Sequence, residues 1–375
     1  MVERRATRFR IPGLLSALLT LANAGCGDPS AAPILLGPEG NRLHAYATDG
    51  SLAKQVLISS DDDASGQGRD INGQICVQPG TRRFVSGEDT GQPSPPPGFG
   101  VFELLGDEVG SLGWRQIGKL TPTFQGEPGP EGVSDTADPY GCGFLPDGRL
   151  LTTDIGNTAS GPGNGQLILW FPPIDATEPR FCKLDVEIAT AQSLHVDAEG
   201  AVWVAASRSG VWRYDGPFPT GDDAAHGCGR RDATGAPLAD HIKKTLAVPS
   251  QIGLAAPAGV ISSAVGTLFV SSVIDGVIAE VSTDGRLLRR VLQPPAGESF
   301  GAEPYSTGTP LGITIDPHGT LYYADIAIGV RPNGIGPLPN RGSVRRIRFI
   351  DGKPQPPETV ASGLAFPDGV GIILP

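Results

Sequence analysis

The chain has 375 residues and a net charge of −11, with 39% of its residues apolar. That apolar share suffices for a core, and the acidic balance excludes a nucleic-acid partner, whose phosphates need a basic surface. Gly (53) and Pro (36) together make up about a quarter of the residues, above ordinary usage, as expected where tight turns join many short strands. Two domains would be ordinary at this length, but closed β architectures often use it as one.

Residues 1–26 read as a targeting segment outside the fold. Arg4, Arg5, Arg8 and Arg10 make a positive start, and residues 11–25 are mostly apolar but too short to span a bilayer. Cys26 follows Ala24-Gly25, which resembles the processing site of bacterial lipoproteins, a family in which this Cys becomes the lipidated N-terminus. Asn23 departs from the Leu that family prefers. Ordinary signal cleavage, with Cys26 a spare thiol, is the alternative. Gly27 in place of Asp leans toward the outer membrane. The expectation is an exported envelope protein, facing periplasm or exterior, or else a soluble periplasmic or secreted one. Residues 27–375 then form one domain.

Along that domain one pattern recurs: an apolar strand, a D-x-x-G turn, and a second strand ending in Ala/Ser-Asp, which together make a β-hairpin. Residues 32–58 hold strands without a leading copy. Copies follow at 72–86 (NGQICVQPGTRRFVS), 138–154 (DPYGCGFLPDGRLLTTD), 192–206 (QSLHVDAEGAVWVAA), 258–272 (AGVISSAVGTLFVSS) and 311–325 (LGITIDPHGTLYYAD). Each continues into outer strands such as 166–171, 210–215 and 343–349, giving sheets over 70–122, 138–188, 192–248, 258–292 and 310–360. The last copy, 366–374 (FPDGVGIIL), stops after one strand. Repetition at this spacing predicts an all-β, six-bladed β-propeller. Its first blade is split, with 366–374 supplying the inner strand and 32–58 the rest. Pairing the N- and C-terminal strands removes the open edge of the ring.

The connections 61–69, 92–98, 127–131, 216–240 and 331–341 are Pro/Gly/Asp-rich surface loops. No Walker loop, Rossmann fingerprint, G-x-S-x-G elbow or H-E-x-x-H occurs, nor Cys spacing for zinc, haem or iron–sulfur. An oxidising compartment permits disulfides among the four remaining cysteines. Cys182 and Cys228 fall on one face of adjacent blades and are expected to pair. Cys76 and Cys142 fall in inner strands and read as buried thiols.

The hairpins resemble those of NHL-like six-bladed propellers, including gluconolactonase-type lactonases, paraoxonases and strictosidine-synthase-like proteins. In the lactonase and paraoxonase branches, residues at the starts of inner strands converge on a divalent cation, usually Asn or Asp before Gly. Here those positions hold Asn72, Tyr140, Gln192, Ala258, Leu311 and Asp368. Asn72 and Asp368 match, so the resemblance implies them as ligands of Ca²⁺ or another divalent cation. Ala258 and Leu311 depart from it, since calcium wants six or more oxygens. The structural reading is that Asn72 and Asp368 cap turns beside glycines.

A second ring lies at the ends of the second strands: Glu88, Asp89, Asp154, Asn157, Arg208, Asp275 and Asp325. Singly these are turn residues; together they would make an acidic mouth, with Glu88 and Asp89 placed to complete the cation site. His195, in an inner strand, is a candidate general base or a hydrogen-bonded packing residue. His44, His226, His241 and His318 read as structural, and the four tryptophans as packing between blades.

Three functions fit. The first is a monomeric, lipid-anchored propeller that binds a small molecule or protein on its acidic channel face without turnover. The second is a metal-dependent hydrolase of lactones or esters. The third is a metal-free enzyme or a cofactor-dependent sugar oxidoreductase.

Overall fold

A computed structural model describes residues 32–48, 53–59, 71–88, 98–122, 138–156 and 165–375. Cys26 and the targeting segment lie outside the described residues. Six sheets form the blades of a propeller, each with four antiparallel strands, and the sheet of blade 3 is extended to six by two short strands from a later connection. Their inner strands are Gly371–Ile373 in blade 1, Ile71–Val77 in blade 2 and Pro139–Phe144 in blade 3. Those of blades 4 to 6 are Ala191–Val196, Pro257–Ser262 and Pro310–Ile315. The chain runs outward through each blade and crosses to the hub for the next.

The repeated D-x-x-G turn has a local cause. In blade 6, Asp316 Oδ1 accepts the N–H groups of His318 (2.9 Å) and Thr320 (2.8 Å), and Gly319 takes the left-handed conformation at φ +82°. Asp197 does the same in blade 4 through Glu199 and Ala201, and in blade 5 the hydroxyl of Ser263 stands in. An Asx turn needs both the short acceptor and a residue tolerant of positive φ, which is why the motif survives where the strands have diverged.

The core lies between the blades rather than inside any one of them. One apolar cluster fills each of the six interfaces; Trp203, Val211 and Leu254 of blade 4, for example, pack against Val260, Val270 and Val281 of blade 5. The inner three strands of the blades therefore bury side chains on both surfaces, and each fully buried large side chain contributes about 1.5–3 kcal/mol. The ring closes where Gly371–Ile373 pairs antiparallel with Ile34–Glu39, matching Ile34 to Ile373 and Leu36 to Gly371. The strand edges that would otherwise face solvent satisfy each other.

Two disulfides form, the first tying blade 3 to the 216–242 connection and the second joining the inner strands of blades 2 and 3. Cys182 pairs with Cys228, and Cys76 pairs with Cys142. The second corrects the expectation of buried thiols. Cys76 pairs with Val85, three residues before the end of its second strand, and Cys142 with Thr152, two before; the offset turns the two cysteines to facing sides of the blade 2–blade 3 interface, with Cα atoms 5.7 Å apart. Both bridges are compatible with export. Among the described residues, no helix is long and apolar enough to cross a membrane.

The connection 216–242 leaves blade 4 and returns along blade 3. Pro237–Leu238 adds in parallel to the outer strand Phe181–Ile188, matching Leu238 to Lys183. Lys183 is fully buried and its Nζ lies 2.7 Å from Asp232 Oδ2. Burial pushes the Lys183 amine down, and its hydrogen bond with the amine holds Asp232 below the usual carboxylate range against the opposing effect of burial. Removing one partner of such a pair strands the other charge. Lys183→Met should therefore cost about 3–5 kcal/mol in urea unfolding, whereas adding Asp232→Leu should restore most of that loss.

Candidate functional site

The hub is built from the point in each inner strand where the register slips. The complete inner strands all bulge there, between Asn72 and Cys76, Pro139 and Cys142, Ala191 and Leu194, Pro257 and Val260, and Pro310 and Ile313. The residues at the bulge are Gly73, Gly141, Ser193, Gly259 and Gly312, with Gly369 the equivalent in blade 1. Neighbouring inner strands approach so closely here that a Cβ on Gly73 would sit 2.6 Å from the carbonyl oxygen of Tyr140, and one on Gly312 2.6 Å from that of Asp368. Gly369 is tighter still against the backbone of Gly73. Ser193 is the exception, and its hydroxyl accepts the N–H of Val260 at 3.1 Å.

A bulge leaves backbone N–H groups without their ladder partner, and the hub supplies replacements. Thr153 Oγ1 accepts from Gly141 (2.7 Å) and donates to Gln192 O (2.5 Å) in the next blade. Ser271 does the same between Gly259 and Leu311. In the closing blade Asp368 performs this task in two directions. Its Oδ2 accepts the N–H of Gly73 at 2.6 Å, and its carbonyl accepts from Gly312 (3.0 Å) and from the Tyr140 hydroxyl (2.9 Å). Burial, reinforced by the Asp368 charge, raises the Tyr140 phenol and keeps it a donor. Gln74 lies across the hub, donating to Leu194 O (2.8 Å) while its Oε1 accepts from Leu194 (3.0 Å) and Cys142 (3.2 Å). Sequence reasoning missed Gln74; the only signal is the longer bulge of blade 2.

On the mouth side Tyr140, Ala258 and Leu311 join Val273, Ile326 and Ile328 in a buried apolar cluster. Beside it, Asn72 Oδ1 and Gln192 Oε1 are buried acceptors with no partner among the described residues.

The second ring is held by its own loops. Asp154 Oδ1 accepts from Asp138 and Gly156; Asp325 accepts from Thr309 and Ala327 and pairs with Arg345 Nη2 at 3.0 Å. Asp275 accepts from Ala255 and from the Ser272 hydroxyl at 2.7 Å. Arg208 is exposed. Glu88 turns along its blade to Lys119 Nζ (3.3 Å) and Gln116 (3.4 Å) on the outermost strand. Asp89 and Asn157 lie outside the described residues.

The carboxylates among the described residues do not converge on one point: no three His, Cys, Asp or Glu side chains gather there. Glu88 faces a lysine, Asp368 Oδ2 receives an amide proton, and Ala258 and Leu311 offer no oxygen, whereas Asn72 and Gln192 each offer an amide oxygen.

His195 lies at the other end of its strand, with Nε2 2.6 Å from Ser262 Oγ in blade 5. Burial pushes its pKa down to about 4, against the opposing pull of Asp197. Asp197 itself is engaged by Trp203 Nε1 (2.8 Å) and by its turn amides. His195 is therefore neutral at physiological pH and bridges two blades.

Two outcomes follow. Gly369→Ala should destabilise the protein by more than about 4 kcal/mol or prevent folding, since a methyl group has no room against Gly73; a circular-dichroism melt decides it. As pH falls from about 6.5 to 4, the unfolded histidine takes up a proton that the folded one refuses, so stability present above 6.5 is lost. The loss attributable to His195 should reach roughly 3 kcal/mol, read as a shallower acid slope in His195→Gln than in the parent.

No protein-family model matches the chain, and no curated protein matches its sequence. Solved structures do resemble it. A chain of a nidogen/laminin complex is 13% identical over 92% of this chain and 99% of its own, with a TM-score of 0.56. A protein from Lactobacillus plantarum is 12% identical over 92% and 100%, at 0.49. A protein put forward as a gluconolactonase is 14% identical over 78% and 85%, at 0.41. At such identities the likeness speaks to fold, and on fold the chain is a six-bladed β-propeller closed by its own terminal strands.

Proposed function

We propose that this protein is an exported, lipid-anchored propeller that binds a ligand or protein on its mouth-side face without chemical turnover. The observation that carries the reading is the engagement of the mouth carboxylates. Asp154, Asp275, Asp325 and Asp368 each accept hydrogen bonds from the backbone that shapes the mouth. Carboxylates committed in this way organise a surface, whereas a catalytic pair needs groups that converge on a reacting atom. The features left to a ligand are the buried amide oxygens of Asn72 and Gln192 beside the apolar cluster of Tyr140, Ala258 and Leu311. They suit a hydrogen-bond donor with an apolar body better than a bare cation.

The test uses the full exported chain. Radiolabelled palmitate should enter the protein and fail to enter Cys26→Ser. Metal analysis should find no stoichiometric calcium or zinc, chelation should leave the melting temperature unchanged, and a lactone panel should show no hydrolysis. A melting temperature lowered by chelator, together with lactone turnover lost in Asp368→Asn, would establish the hydrolase instead.

A further inference from the structure

On the face opposite the mouth, the turns of blades 3 and 4 border a groove of about 650 Å³. That volume lies in the range of small-molecule sites. Its outer wall is residues 216–220, the beginning of the 216–242 connection. That connection carries a short hairpin of its own, Arg230–Arg231 against Pro237–Leu238, and is fastened at several independent points. Arg149 Nη1 donates to the carbonyls of Phe218 and Pro219, and Thr220 N donates to His226 O at 3.0 Å. Beyond the wall come the Cys182–Cys228 bridge and the Lys183–Asp232 pair. A wall held this way loses little conformational freedom when a ligand docks against it.

The lining alternates two guanidinium–carboxylate pairs and a further carboxylate with apolar surface. Arg149 Nε lies 2.8 Å from Asp147 Oδ2, and Arg213 Nε lies 2.8 Å from Asp215 Oδ1. The Arg213 guanidinium is stacked over Trp203, 5.0 Å from the ring centroid, which fixes its plane. Glu199 is exposed on the turn of blade 4. Between these groups lie Leu145, Pro146, Ala201, Pro217 and Phe218.

We infer that this groove binds an uncharged, hydroxyl-rich ligand, in chemical class an oligosaccharide. An anionic ligand would have to displace a carboxylate from one of the two guanidinium pairs while facing the Glu199 carboxylate as well. A hydroxyl group both donates and accepts, so it bonds to a paired guanidinium and a paired carboxylate without breaking either. The C–H faces of a sugar ring match the proline and aliphatic surface between the pairs. The groove stands apart from the mouth, so its occupancy does not depend on what the mouth binds.

The test is calorimetric titration of the full chain with maltotriose, cellotriose and chitotriose, with glutamate and inorganic phosphate as charged comparators. At least one trisaccharide should bind saturably at sub-millimolar concentration, more tightly than either comparator. Arg213→Ala and Glu199→Gln should each weaken it ten-fold or more, while Glu298→Gln, on the mouth side, should leave it unchanged. Should Arg213→Ala fail to fold, the exposed Glu199→Gln decides alone. Absence of binding by all three sugars, preference for a charged comparator, or an unaffected Glu199→Gln would each overturn the assignment.

Discussion

Everything in this molecule depends on how closely its inner strands meet. Around the hub, backbone lies against backbone with no room for a Cβ at five of six equivalent positions. That contact forces a bulge in each complete inner strand and frees amide protons that must find acceptors in a water-poor centre. The hydroxyls of Thr153 and Ser271 and the carboxylate of Asp368 meet that demand. Asp368 is therefore part of the clasp that finishes the ring, because the closing blade takes its inner strand from one end of the chain and the rest from the other.

Charge inside the propeller is handled by local compensation. Asp325 with Arg345 and Lys183 with Asp232 each join an element to its neighbour, and Glu88 with Lys119 reaches over one intervening strand, across short, partly or wholly buried gaps. Such pairs add little net stability against an apolar replacement, yet each strongly disfavours the arrangement in which one partner is missing. They hold connections and outer strands in register around an apolar frame.

The repeated hairpin was legible in the chain because its turn requires two particular residue types at fixed spacing, and strand drift cannot erase that. Closure was legible too, since a copy ending after one strand needs another strand beside it. The site was less legible. Whether an aspartate at a strand end faces a cation or its own loop's amides depends on loop geometry that composition does not encode. Glu88 shows this: its sequence neighbour is Asp89, but its charge partner is Lys119 on a strand two hairpins away. The Cys76–Cys142 bridge was obscured by the bulge. Counting from the hub glycine, Cys76 comes three residues later and Cys142 one, so aligning glycines puts the cysteines out of step. The ladder, which matches them to Val85 and Thr152, sets them one residue out of step with each other and so on facing sides of the interface. The same longer bulge places Gln74 where its amide spans three strands.

The closing pair also sets a polarity. Gly371–Ile373 runs away from Asp368 at the mouth, so Ile373 and its partner Ile34 both emerge at the far rim. From residue 26 to residue 32 a fully extended chain reaches only about 20 Å. Under the proposed lipid attachment at Cys26, that reach would keep the far rim of blade 1 near the headgroups, on the face opposite the mouth.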